Sequence, residues 1–199
     1  MAFSFLIMKK TLITLTIFIA FSCKSQIIPQ NNAYVEIPNN AYIKDTENFL
    51  NNFVGTWHYQ KGNEQFSITL LKVLHKDYGS YYNDIIIGEY KYIDSNGTTI
   101  VNTLSDINIP SIHHNISGAK SLIRLEYPKC PECNVGEYRI KSFFYDPERK
   151  YQNLAIVFRS ISATQIKIKL YTEGVSTTTG PNAIDEMRVP AGEYILNKI

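Results

Sequence analysis

The sequence predicts an all-β protein: an antiparallel up-and-down barrel of about nine strands with a short N-terminal helix, a β-sandwich being the alternative. Three observations predict it. Alternation of apolar and polar residues with period 2 recurs at hairpin spacing and is cleanest over residues 165–171, where Ile166, Ile168 and Leu170 oppose Lys167 and Lys169. The chain carries 14 tyrosines and 10 phenylalanines, residue types that fit a half-buried pleated surface. No segment between the strands is long enough for the helix of a parallel crossover. With 199 residues and 44% hydrophobic content, one sizeable core is affordable and a single folded domain is expected.

The N-terminus has the form of an export signal. Met8-Lys9-Lys10 is a short positive region, and the apolar run from Thr11 to Phe21 is shorter than a membrane-spanning helix needs. Met8 is the plausible start, because residues 1–7 place an apolar stretch ahead of the lysines. Ala20-Phe21-Ser22-Cys23 resembles a bacterial lipobox, which implies diacylglycerol on the Cys23 thiol. An ordinary cleaved secretory signal and an uncleaved anchor are the other readings. Residues 1–22 are therefore read as the signal, 23–45 as the lipidated cysteine and a flexible tether, and 46–199 as the barrel domain.

The tether is Asn-rich and repeats itself once, as Asn31-Asn32-Ala33-Tyr34 and Asn39-Asn40-Ala41-Tyr42, too few copies for a solenoid. Its composition suits a spacer; the competing reading packs Tyr34 and Tyr42 on the barrel as a strap. Residues 45–53 suit a short helix capped by Asp45 or Thr46, with Phe49, Leu50 and Phe53 on one face. Strands follow at 54–59 and 64–74, the second changing phase at Leu71 and Val73, as a bulge or a strand buried on both faces would. Residues 84–93 and 98–104 flank Asp94-Ser95-Asn96-Gly97, a strong hairpin turn. Residues 105–120 read as irregular and polar. Further strands are expected at 121–127, 137–145, 154–160, 165–171 and 192–199, with a flexible loop at 176–182 before the last.

Phe53-Val54-Gly55-Thr56-Trp57 contains the only tryptophan and opens the first of these strands. Glycine allows close approach there, and the indole can plug one end of the barrel. In this the domain resembles lipocalin-like proteins, in which such a tryptophan closes the barrel base and a basic residue near the last strand covers it. Arg188 and Lys198 are the available candidates. The chain as a whole is similar to an uncharacterised family of small exported lipoproteins of Bacteroidetes type. The resembling features are Ser22-Cys23-Lys24-Ser25-Gln26, the Gly55-Thr56-Trp57 stretch, Ile87-Gly88-Glu89-Tyr90, His114-Asn115-Ile116-Ser117-Gly118, Cys130-x-x-Cys133 and Val189-Pro190-Ala191-Gly192-Glu193-Tyr194. That resemblance implies a location and a fold but no chemistry.

The formal charge of +2 comes from Lys9 and Lys10, since the residues after Cys23 hold 18 basic against 18 acidic side chains. No basic stripe is present, so nucleic acid is not an expected partner. Cys130-Pro131-Glu132-Cys133 is open to three readings: a disulfide, half of a zinc site, or a redox pair. Zinc would need further ligands, and His113 and His114 are the nearest histidines; being adjacent, they point opposite ways in an extended segment. Asp84, Glu89, Asp106, Glu126 and Glu137 show no spacing that fixes a catalytic pair, and there is no phosphate loop or nucleophile elbow.

The expected function is that of a cell-envelope binding or interaction module, held to a bacterial membrane by its lipid, without a required cofactor and with a small-molecule or protein partner. An envelope hydrolase, or a zinc enzyme using Cys130, Cys133 and a histidine, is the enzymatic alternative; a structural surface lipoprotein is the third. Tyr59, Tyr78, Tyr81, Tyr82, Tyr90 and Tyr92 could line a ligand-holding calyx, but they fit better as filler of a small barrel.

Overall fold

A computed structural model describes residues 26–32, 36–110, 113–149, 153–174 and 187–199. The export signal, Cys23, Tyr34 and the 176–182 loop lie outside them. Eleven strands follow in chain order: β1 (Ile27–Pro29), β2 (Tyr42–Lys44), β3 (Gly55–Lys61), β4 (Glu64–Asp77), β5 (Tyr82–Ile93), β6 (Thr99–Asn102), β7 (Ile116–Leu122), β8 (Arg139–Phe144), β9 (Leu154–Ser162), β10 (Gln165–Thr172) and β11 (Gly192–Lys198).

Eight of them, β3, β4, β5, β7, β8, β9, β10 and β11, close an antiparallel barrel, each paired to the next. The ring shuts where Lys198 meets Trp57 between β11 and β3, and where Gly88 meets Ile116 between β5 and β7. Both closures are what a sandwich lacks. β1, β2 and β6 lie outside the ring: β2 runs parallel to the start of β5, β1 runs parallel to β2, and β6 pairs with the end of β5. One edge of β5 is thus shared by three strands in succession. We call the base the end at which β3, β5, β8 and β10 begin and β4, β7, β9 and β11 end.

The interior is filled. Trp57, Phe66, Tyr90, Phe144 and Phe158 are fully buried, together with aliphatic residues of every ring strand except β3, which supplies Trp57. Ile166, Ile168 and Leu170 point inward, as their spacing predicts. Phe66 meets Tyr90, Tyr92 and Tyr194 edge-on at 5.3–6.0 Å between ring centres, a favoured arrangement for aromatic quadrupoles. Gly88 faces this core at the tightest point: a Cβ there would lie 2.5 Å from Leu70 Cδ2 and 2.8 Å from the Thr69 carbonyl oxygen.

Three expectations need correction. The strand expected at 121–127 lies at Ile116–Leu122, and Ile123, Leu125 and Tyr127, which seemed to alternate, are exposed in the loop that follows. The helix expected at 45–53 is a single 3-10 turn, Phe49–Asn52. Asn51 and Asn52 are poor helix formers, and nine residues cannot offset the cost of nucleating a helix. Part of the expected tether is ordered: β1 and β2 pair along the barrel, and Tyr42 packs as the strap reading requires. The bulge in β4 falls between Val73 and Lys76, where His75 adopts a φ of 52°.

Candidate functional site

Trp57 closes the base. Its indole N–H donates to the Phe53 carbonyl oxygen at 2.7 Å, and Lys198 Nζ sits 5.1 Å from the ring centre, within cation–π range. The Lys198 stem crosses Gly55, whose φ of 128° and closeness to Lys198 Cε, 2.7 Å from a would-be Cβ, both call for glycine. Of the two basic candidates, Lys198 covers the indole. Arg188 instead forks onto Asp146 and donates to the Ile100 carbonyl oxygen, and Asp146 raises the guanidinium pKa.

Beside the plug, two buried carboxylates tie the strap to the ring. Asp45 accepts the Phe49 and Leu50 amides at 2.7 and 3.0 Å and pairs with Lys72 at 2.7 Å, so it caps the 3-10 turn from four residues upstream. Asp84, 1% exposed, accepts the Tyr42 hydroxyl at 2.6 Å and the Asp45 and His75 amides at 2.9 Å. Burial, then the hydrogen bond to Asp84, pushes the Tyr42 phenol up to about 12. These contacts join three separate segments, and they are structural in kind: every acceptor faces a donor.

The open space lies outside the barrel. Because β2 leaves the edge of β5 at Asn83 and β7 takes it over at Ile86, the two strands fork, and a cleft of about 260 Å³ occupies the fork. Its apolar walls are Ile37 and Ile43 from the strap, the Tyr78 and Tyr81 rings of the β4–β5 hairpin, and Phe143 of β8. Tyr78 and Tyr81 stack nearly parallel, with centres 5.2 Å apart. Gln30 stitches one side shut, donating to the Ala119 carbonyl oxygen and accepting from the Ser121 hydroxyl.

The polar groups of the cleft are few and convergent. Lys120 and Lys141 stand directly opposite each other on β7 and β8, a like-charge pair that costs stability unless an anion lies between them. Lys141 is paired with Glu173, while Lys120 is exposed. Asn83 Oδ1 is buried and has no hydrogen-bond partner among the described residues. A buried acceptor left open in this way suits a donor from a ligand or a water molecule. An apolar pocket with a handful of placed polar groups is the usual composition of a small-molecule site, and this volume falls just below the range of drug-sized pockets, so it suits a small ligand.

The histidine pair divides as adjacency predicts. His113 is exposed, whereas His114 is buried and its Nδ1 lies 2.9 Å from Glu89 Oε1. The Glu89 side chain, fully enclosed, also accepts the Asn115 amide at 3.3 Å and the Asn115 side chain at 2.6 Å. The carboxylate fixes the orientation of the His114 ring through this Nδ1 contact. Among the described residues no hydroxyl extends the pair into a triad, and the Ser105 hydroxyl donates to Asp106. Among the described residues no group of three His, Cys, Asp or Glu is placed to hold a metal ion.

Cys130 and Cys133 are joined as a disulfide in the loop between β7 and β8. A zinc site would need both as thiolates. The loop is tied from beneath by Arg139, whose guanidinium donates to the Ile123, Glu126 and Pro128 carbonyl oxygens. Glu126 and Glu137 serve it too, each accepting a loop amide, and Arg159 draws the Glu137 pKa down. Sequence reasoning named Asp84 and Glu89 without their partners and missed the cleft. The one signal for it was the cluster of tyrosines at 78–82.

A family described only as one of unknown function matches residues 8–199 of the chain. No curated protein and no solved structure gives a match.

Proposed function

The chain belongs to the family of unknown function DUF6705, a premise that supplies no chemistry, and from its own side chains we propose a lipid-anchored binding module of a bacterial cell envelope. It takes a small, mainly apolar ligand in the fork between β2 and β7. The observation that carries this reading is the cleft itself: about 260 Å³ walled by Tyr78, Tyr81, Phe143, Ile37 and Ile43, with Lys120, Lys141 and Asn83 as its polar groups. The packed interior favours this outer site over a calyx, because core side chains already occupy that volume. With Lys141 paired to Glu173, Lys120 beside an apolar wall suits a ligand with one anionic group and a flat or aliphatic body. Anchoring rests on Met8-Lys9-Lys10, the apolar run and Ala20-Phe21-Ser22-Cys23.

Anilinonaphthalene sulfonate, an apolar anion, is a suitable probe. The expected result is saturable one-to-one fluorescence enhancement, weakened about tenfold by Phe143→Ala or Tyr81→Ala, which is about 1.4 kcal/mol each. Titration without saturation, or an affinity unchanged in both variants, would overturn the cleft reading. The anchor is tested by mass spectrometry of the protein from its own host, where an unmodified Cys23 would remove it.

A further inference from the structure

Between the proposed anchor and the folded body there is almost no spare chain. The Gln26 carbonyl oxygen already accepts the Tyr42 amide at 2.8 Å, and Ile27 opens β1. Cys23 and Gln26 are three residues apart, so their Cα atoms can be separated by at most about 11 Å whatever path the chain takes. The headgroup layer on one side of a bilayer is about 5–8 Å thick. A lipid on Cys23 therefore brings the β1–β2 flap to the membrane surface. A segment fixed this close to its anchor cannot lift the domain clear.

The same end of the molecule carries the most exposed apolar side chains among the described residues, whereas Ile109 and Tyr145 at the opposite end are 40% and 45% exposed. Ile27 on the flap, Leu74 near the end of β4, Leu125 and Val135 in the β7–β8 loop, and Ile199 after β11 are 55–87% exposed. Strand polarity puts all of these at the base. The β7–β8 loop is held rigid by its disulfide and by Arg139, so Leu125 and Val135 are presented to the outside rather than folded back. Exposed apolar groups concentrated at one end mark a contact surface. The charges interspersed there are of both signs: Lys44, Lys76, Arg124, Lys129 and Lys198 with Glu47, Asp77, Glu126, Glu132 and Glu137. Attraction to anionic lipid is consequently not what such a surface is built for.

We infer that the base of the barrel rests on the leaflet that holds the Cys23 lipid, with Leu74, Leu125, Val135 and Ile199 at the boundary between headgroups and acyl chains. The inference depends on the lipid-anchor reading above and adds to it the contacting surface and its mode, apolar insertion. Interfacial seating of this kind gives the second attachment that steadies a lipid anchor. It also sets the outer cleft, one wall of which is the flap, beside the membrane.

The test uses the full lipidated chain in phosphatidylcholine vesicles that contain a nitroxide-labelled lipid. An environment-sensitive dye is placed singly at Leu74→Cys, Ile199→Cys or, at the opposite end of the barrel, Asn96→Cys. The disulfide leaves Cys130 and Cys133 unreactive to the label. Strong quenching at Leu74→Cys and Ile199→Cys, with little at Asn96→Cys, is the expected result, unchanged by raised salt. Adding Leu125→Asp and Val135→Asp should release the quenching while the protein stays bound through its lipid. With Cys23 lipidated, equal quenching at both ends overturns the seating alone. An unmodified Cys23 overturns the seating and the anchor together.

Discussion

Replacing Asp84 with alanine removes one acceptor from three donors in two segments: the Tyr42 hydroxyl and the Asp45 amide on the strap, and the His75 amide at the β4 bulge. A hydrogen bond to a charged group is worth about 1.5–3 kcal/mol. The Tyr42 hydroxyl can turn to water, while the Asp45 amide bond is buried and cannot be replaced. Removing the buried carboxylate also ends its own desolvation cost, so the net loss is about 2–4 kcal/mol. For a domain of this size each kcal/mol lowers Tm by about 2–4 °C, which gives a fall of roughly 5–15 °C. Urea unfolding and calorimetry measure the loss, and native-state hydrogen exchange should show Asp45 and His75 losing protection first. Asp77→Ala, which removes only an exposed turn contact to the Gly79 amide, is the control. A loss below about 1 kcal/mol in Asp84→Ala would refute the claim that this carboxylate joins strap to barrel.

Further outcomes follow from the packing and the titrating groups. Gly88→Ala forces a Cβ to within 2.8 Å of the Thr69 carbonyl oxygen and should cost about 1–3 kcal/mol in urea unfolding. Gly97→Ala meets no neighbouring atom but puts a side chain at a φ of 84°, and should cost about 1–2 kcal/mol from backbone strain alone. Reducing the Cys130–Cys133 bond, whose cysteines are three residues apart, should lower stability by about 2 kcal/mol or less, since closing so short a loop restricts the unfolded chain little; thiol titration before and after reduction counts the bond. Burial is the chief cause that raises the phenols of Tyr42 and Tyr171 to about 12 and also raises Tyr90, Tyr92 and Tyr194. The fold therefore favours the protonated rings: their contribution is intact below the free phenol value of about 10 and is lost as pH rises through the folded values. The last tyrosinate absorbance, that of these five rings among 14 tyrosines, should appear together with loss of near-ultraviolet circular dichroism; full ionisation at pH 10 with the dichroism unchanged would contradict it.

What was legible in the sequence is what local pattern encodes. Ile166, Ile168 and Leu170 alternate with lysines because β10 has one buried face and one wet one, and Asp94-Ser95-Asn96-Gly97 turns because Gly97 takes a φ of 84°. Trp57 was readable as a plug because a lone indole after Gly55 has few other uses. β7 was missed because Gly118, Ala119 and Lys120 are poor strand formers and a register shift after Ser117 breaks its alternation. Ile123, Leu125 and Tyr127 misled for the opposite reason, an alternating pattern on a loop tied down by Arg139. Glu89 and His114 are 25 residues apart and meet only when β5 and the chain ahead of β7 come together. The cleft exists because two strands share one edge of β5, a fact of topology that no run of residues records.

The central claim is that ligand chemistry belongs to the outside of this barrel and packing to the inside. Two-dimensional amide spectra of the labelled protein, recorded while anilinonaphthalene sulfonate is added, test it most directly. The account predicts shifts at Asn83, Gly118, Lys120 and Phe143 with the Trp57 indole N–H and the Ile168 amide unmoved. Shifts centred on Trp57 and Ile168, with the cleft resonances still, would contradict it.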